Sequence, residues 1–160
     1  MKRKSSDYLI VAGCSKFGAN IASMLSARGK SVIIIDINKN SFRKLSPDYS
    51  GYKIEGDATD IDVLIESGIE IAGTLVAATG DDNTNIMIAE IGSKIFGVDK
   101  VVSRLYDTEK EVVYDEFNVN IIRPTQLTIR EFENINNNDM DKICITDFAK
   151  KKTKNIMGAL

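Results

Sequence analysis

The sequence predicts an α/β protein: a doubly wound, parallel six-stranded sheet of order 3-2-1-4-5-6, with helices on both faces. Three observations lead there. Short apolar runs, of which YLIVA at residues 8–12 and SVIII at 31–35 are the clearest, alternate with helical patterns along the chain. A glycine-bearing turn follows the first run, and an acid, Asp36, closes the second.

The elements follow in order. After YLIVA comes Gly13-Cys14-Ser15-Lys16-Phe17-Gly18, then a helix in which Phe17, Ile21 and Leu25 recur every four residues beside Met24, stopped at Arg28-Gly29. The second strand, 31–35, precedes a short helix capped by Asn40 or Ser41 that stops before Pro47. A weak third strand at 52–55 leads into the turn Gly56-Asp57-Ala58-Thr59, and Ile61, Leu64 and Ile65 mark a short helix ending at Gly68. TLVAA at 74–78 is the fourth strand. A strong helix is expected over 85–96, with Ile88, Ile91 and Ile95 as its apolar stripe and Gly97 as its stop. Strand five is expected at 101–105, a helix at 110–117 and strand six at 119–122. Pro124 opens a last helix with Leu127 and Phe132 on its apolar side; NINNND at 134–139 reads as a polar linker, and 143–148 as an added edge strand or a segment packing on a neighbour. The expected organisation is one domain over residues 7–133 and a polar linker with a short basic tail over 134–160.

Composition bounds the function. At 160 residues, 43% apolar and 28% charged, the chain is long enough to bury a core without metal or disulfide. No apolar run approaches the roughly 20 residues of a bilayer span, and Met1 to Asp7 lack the apolar stretch of a secretory leader. Two cysteines, Cys14 and Cys144, form no framework, which suits a reducing cytoplasm. The absence of His excludes imidazole chemistry and His-ligated zinc, so no catalytic or metal residue is assigned. Lys2, Arg3 and Lys4 at one end and Lys150, Lys151, Lys152 and Lys154 at the other leave the body 14 bases against 23 acids, near −9. An acidic body argues against nucleic-acid binding. The basic tail is either a solvated end or a contact for an anionic membrane surface.

Gly13 to Gly18 matches the Rossmann-like fingerprint G-x-G-x-x-G except that Ser15 replaces the second glycine. Backbone N–H groups and the helix dipole there would meet phosphates. The Ser15 side chain takes up clearance, but its hydroxyl is itself able to donate to a phosphate oxygen. Asp36, 23 residues after Gly13, is placed to accept from ribose hydroxyls and to repel the 2′-phosphate of NADP, with Lys39 nearby as a base that softens that discrimination. NAD or an adenine nucleotide is therefore expected. Lys16 either reaches a phosphate or points to solvent. Cys14 is read as small loop filler in preference to a thiol activated by the helix N-terminus.

With Gly13–Gly18, Asp36, the GDAT turn at 56–59, ATGDDNTN at 78–85 and VVSRL at 101–105 in this order and spacing, the chain resembles a TrkA-type nucleotide-binding domain. This is the N-terminal half of the RCK (KTN) module of bacterial potassium uptake systems. The resemblance covers roughly residues 8–133. It implies phosphates held by Gly13, Cys14, Ser15, Lys16, Phe17 and Gly18, and an adenosine ribose held by Asp36 with Ile37 and Asn38 beside it. Asp57 and Ala58 would flank the adenine, and Thr79 and Gly80 would line the middle of the pocket. Arg104 would approach ligand phosphates, the alternative being a surface ion pair; Asp81 and Asp82 are read as helix N-caps. The cofactor implied is NAD(H), with ATP, ADP or AMP as alternatives that Ser15 brings forward. The function implied is that of a nucleotide-sensing cytoplasmic subunit, peripheral to the inner face of the membrane, gating a potassium transporter or channel through rearrangement of a homo-oligomer, either dimer or ring. The family's second sensing domain is expected to be absent or on a separate polypeptide. The last helix resembles the family's crossover element, which makes Leu127, Ile129 and Phe132 interface candidates. Two alternatives stand beside this reading. A small NAD-dependent oxidoreductase would need a proton donor beside the nicotinamide and a substrate pocket; a scaffold would keep the fold without a ligand.

Overall fold

The computed structural model describes residues 7–140. Cys144, the two basic ends and the strand expected at 143–148 lie outside the described residues. The chain divides after Arg123 into two compact units.

In the first unit, β1 (Tyr8–Ala12), β2 (Ser31–Asp36), β3 (Tyr52–Glu55), β4 (Thr74–Ala77), β5 (Lys100–Arg104) and β6 (Val119–Ile122) form one sheet in the order β3-β2-β1-β4-β5-β6. Every pairing is parallel; Ala12 lies opposite both Ile35 and Ala77, and Asp36 opposite Glu55. The apolar runs of the central strands are continuous because both faces are buried. Ile10, Ala12, Ile33, Ile35, Leu75 and Ala77 face one core, and Val11, Val32, Ile34 and Val76 face the other. The chain order reverses between β1 and β4, so the crevice above their carboxyl ends is the topological switch point.

The helices depart from expectation in instructive ways. In α1 (Lys16–Ala27) the buried line is Gly18, Ala19, Ala22 and Ser26, while Phe17, Ile21 and Leu25 only flank the core. The cause is close approach: a Cβ on Gly18 would lie 2.0 Å from the Gly13 carbonyl oxygen, so only small residues fit beneath the helix. Asn38, not Asn40 or Ser41, caps the next segment by accepting from the Asn40 amide at 3.0 Å, and Lys39–Lys44 is a 3-10 helix. Asp60 caps α2 (Ile61–Glu66), after which Gly68 takes φ 73°.

The strong helix expected over 85–96 is α3 (Asp82–Glu90) followed by a π-helical turn, Ile91–Ile95, closed by Phe96 N–H to the Ile91 carbonyl at 3.1 Å. The wider turn rotates Ile95 outward, so Ile88 and Ile91 are buried and Ile95 is exposed. The helix expected at 110–117 is a 3-10 segment, Thr108–Glu116, that buries Tyr114.

The second unit contains α4 (Pro124–Met140). Pro124 occupies its first turn, where a missing N–H costs nothing. The helix runs through 134–139, so the expected linker is instead helical; no Gly or Pro interrupts the sequence between Pro124 and Met140. Leu127, Ile129, Phe132 and Ile135 are exposed on it.

Candidate functional site

A cavity of about 550 Å³ opens at the carboxyl ends of the central strands, within the 300–1,000 Å³ typical of small-molecule sites. Of the residues expected to bind a cofactor, it brings together Gly13, Cys14, Ser15, Asp36, Ile37, Asn38, Asp57, Ala58, Thr79 and Gly80. Lys16, Phe17, Gly18 and Arg104 are not in its lining. Lys16 is exposed, the solvent-pointing alternative.

The loop after β1 is built on two glycines. Gly13 has φ +102°, and a Cβ there would lie 2.5 Å from the Thr79 backbone nitrogen, so the turn and the approach to β4 both require glycine. Ser15 sits at φ −68°, ψ 174°, a conformation open to any residue. Its hydroxyl donates to the Ala78 carbonyl at 2.7 Å and accepts from the Gly18 amide at 3.1 Å. This corrects the expectation that the Ser15 hydroxyl donates to a phosphate: its one hydrogen is committed to β4, and it serves as the N-cap of α1. Cys14 is fully buried, its thiol 3.2 Å from the Ser41 carbonyl. Burial first and the Asp36 charge second push that thiol above its ordinary pKa, outweighing Lys44 and Lys53, so it is an inert filler.

Asp36 is anchored on both oxygens. Oδ2 accepts from the Cys14 amide at 2.7 Å and Oδ1 from the Asn38 amide at 2.8 Å. Each oxygen keeps a further acceptor site for a ribose hydroxyl. In the GDAT turn, Asp57 Oδ1 accepts from the Thr59 amide at 2.8 Å and its hydroxyl at 2.7 Å, which holds Ala58 against the core. Asp81 caps α3, accepting from the amide and hydroxyl of Thr84 at 2.8 Å; these bonds hold its carboxyl below the usual range. Asp82 does not cap. It turns inward and accepts from the amides of Tyr106 at 3.0 Å and Asp107 at 2.8 Å, tying α3 to the loop after β5.

Fully buried Asn85 is a hub that the spacing of residues does not announce, although it lies within the ATGDDNTN segment. Its Oδ1 accepts from the amide and hydroxyl of Thr79 at 2.8 and 2.7 Å, and its Nδ2 donates to the Arg104 carbonyl at 3.1 Å. Arg104 is not a surface residue in an ion pair: it is 4% exposed. Its guanidinium donates to the Thr79 carbonyl and to the Tyr106 hydroxyl, stacks 4.6 Å from the Tyr106 ring, and leaves Nε without a partner. No carboxylate is paired with it among the described residues. Lys44, Ser41, Thr59 and Thr84 also line the cavity, although the sequence pattern assigns none of them to a ligand. For Lys44 the only sequence signal is its place in the segment after the acid of β2.

Two Tyr-x-x-x-Lys pairs, Tyr49/Lys53 and Tyr106/Lys110, have the spacing of a proton-relay couple. Neither is built as one. The Tyr49 hydroxyl bonds the Val32 and Tyr52 carbonyls at 3.0 Å, and burial raises its pKa far above the ordinary value. Lys110 donates to Asn83 Oδ1 at 3.0 Å, while the Tyr106 hydroxyl accepts from Arg104. Among the described residues no helix is long and apolar enough to cross a membrane.

The chain is 35% identical over 123 residues to the Trk system potassium uptake protein TrkA of Streptomyces coelicolor, covering 77% of this chain and 53% of the relative. It is 34% identical over 109 residues to the TrkA homolog of Pyrococcus abyssi, covering 68% and 48%. It thus spans about half the length of these relatives. Among solved structures, the Kef CTD of Shewanella denitrificans in AMP-bound form superposes with a TM-score of 0.68 at 22% identity, covering 94% of this chain and 91% of that one. GsuK bound to ADP gives 0.67 at 21%, covering 83% and 35%, and the GsuK channel bound to NAD 0.61 at 11%, covering 76% and 22%. These likenesses show the same Rossmann-like fold. The TrkA-N domain family matches residues 9–123, and the chain belongs to that family.

Proposed function

We propose that this chain is a nucleotide-sensing regulatory component of a potassium transporter or channel, with no catalytic step of its own. The observation that carries the reading is the conjunction at the switch point of a doubly anchored carboxylate, Asp36, and a glycine loop opening a helix, above a cavity of small-molecule size. Arg104 lies outside the lining and supports the cavity wall from behind, through the Thr79 carbonyl. Gly13 and Ser15 with the α1 N-terminus would face phosphates, Asp36 the ribose, and Asp57 and Ala58 the adenine. The lining carries Asp36, Asp57 and Asp81 against Lys44, a formal −2, so among the described residues the one ammonium is the lining's only charge that attracts a phosphate.

The output is a change of shape. A ligand beside Thr79 is one side chain, Asn85, from the end of β5. It shifts an oligomer's arrangement only by its differential affinity, about 1–3 kcal/mol for typical coupling. Relatives named as Trk potassium uptake proteins support a membrane potassium-transport partner. Thermal melting with NAD, NADH, ATP, ADP and AMP tests the reading. A ligand at 100 times its Kd adds about 2.7 kcal/mol, roughly 5–10 °C for a chain of this size. No shift with any of them sinks it.

A further inference from the structure

We propose that Lys44 is the specificity-determining residue of the ribose end of this site, and that it lets the pocket accept a 2′-phosphorylated adenosine despite Asp36. The inference rests on the nucleotide-binding reading above and deepens it. Asp36 alone argues for exclusion of a 2′-phosphate, because a carboxylate on the ribose edge repels it. Lys39, the base that sequence proximity suggests as an offset, is not in the cavity lining; Lys44 is, and it is the lining's one basic residue among the described residues.

The geometry sets Lys44 beside the acid. Its Nζ donates to the Cys14 carbonyl at 3.0 Å, while Asp36 Oδ2 accepts from the Cys14 amide at 2.7 Å. The ammonium and the carboxylate therefore converge on opposite ends of one residue without pairing directly with each other. The Cys14 thiol between them feels both charges, with opposite signs. One hydrogen of the ammonium is occupied by Cys14, which leaves two for a ligand. The backbone beneath Lys44 is fixed: Asn38 caps the 3-10 helix at its start, buried Leu45 anchors its end, and the Ser46 amide donates to Ser23 Oγ at 3.0 Å. The stem is exposed and free to swing from the Cys14 carbonyl to a phosphate on the same edge.

The test is fluorescence titration of the full chain with NADH and with NADPH, for the wild type, Lys44→Met and Lys44→Arg. The wild type is expected to bind the two within about tenfold of each other. Lys44→Met should weaken NADPH at least tenfold while moving NADH less than threefold, and Lys44→Arg should restore NADPH binding. Melting of the unliganded variants checks that they fold. An unchanged NADPH-to-NADH ratio in Lys44→Met overturns the inference, as does an equal loss for both ligands, which would place Lys44 on the phosphates they share. Failure of the wild type to bind any nucleotide overturns the function itself, and this inference with it.

Discussion

Replacing Ser15 by Ala separates a structural hydroxyl from a ligand-binding one. The substitution keeps the Cβ and the backbone conformation but deletes two hydrogen bonds, to the Ala78 carbonyl at 2.7 Å and from the Gly18 amide at 3.1 Å. Loss of the cap costs about 1 kcal/mol. The Ala78 carbonyl belongs to a fully buried residue, and leaving it unpaired costs about 1–3 kcal/mol more. The sum, about 3 kcal/mol, lowers Tm by roughly 6–12 °C. Because the hydroxyl points into the fold, the affinity of the folded variant for its nucleotide should stay within about threefold of wild type. Calorimetric melting and a binding titration on the same preparation give both numbers. A variant that melts unchanged and binds at least tenfold more weakly refutes the reasoning, since the hydroxyl would then belong to the ligand.

Three further outcomes follow from the buried polar groups. Asn85→Leu strands the Thr79 amide and the Arg104 carbonyl, and should cost about 3 kcal/mol by urea denaturation; a loss below about 1 kcal/mol contradicts its role as a hub. The Cys14 thiol has its pKa raised by burial and Asp36, and Tyr8, Tyr49 and Tyr114 are raised by burial too. Above pH about 8.5 the unfolded chain releases protons that the folded chain retains, so this stability is complete below that pH and is lost as pH rises. The urea midpoint should therefore be lower at pH 9.5 than at 7.5, and in a Cys144→Ser background Cys14 should resist a thiol reagent until denatured; prompt native labelling refutes the burial.

The strands were legible because a parallel sheet covered on both faces demands unbroken apolar runs, and Tyr8–Ala12 and Thr74–Ala77 can hardly be read otherwise. The inner face of α1 was not. Periodicity points to the large residues Phe17, Ile21 and Leu25, whereas contact distance at the Gly13–Gly18 crossing selects the small ones. Ile95 departs from the expected stripe for a related reason: one π turn shifts the phase, and no residue type signals it. In the site, Gly13 and Asp36 have roles set by local backbone and are visible as a spacing. Lys44, Asn85 and the inward turn of Asp82 depend on which strands become neighbours, and a linear pattern does not carry that. Composition alone makes the polar 134–139 stretch resemble a linker, yet a helix already begun at Pro124 continues through it in the absence of a breaker.

The central claim is that the crevice above β1, β2 and β4 binds a nucleotide through Asp36. Isothermal titration of NAD into the full chain and into Asp36→Asn tests it most directly. The account predicts one saturable site per chain in the wild type and a loss of at least tenfold in affinity in a variant that still folds. Equal binding by the two proteins, or no heat from NAD, AMP or ADP with either, contradicts it.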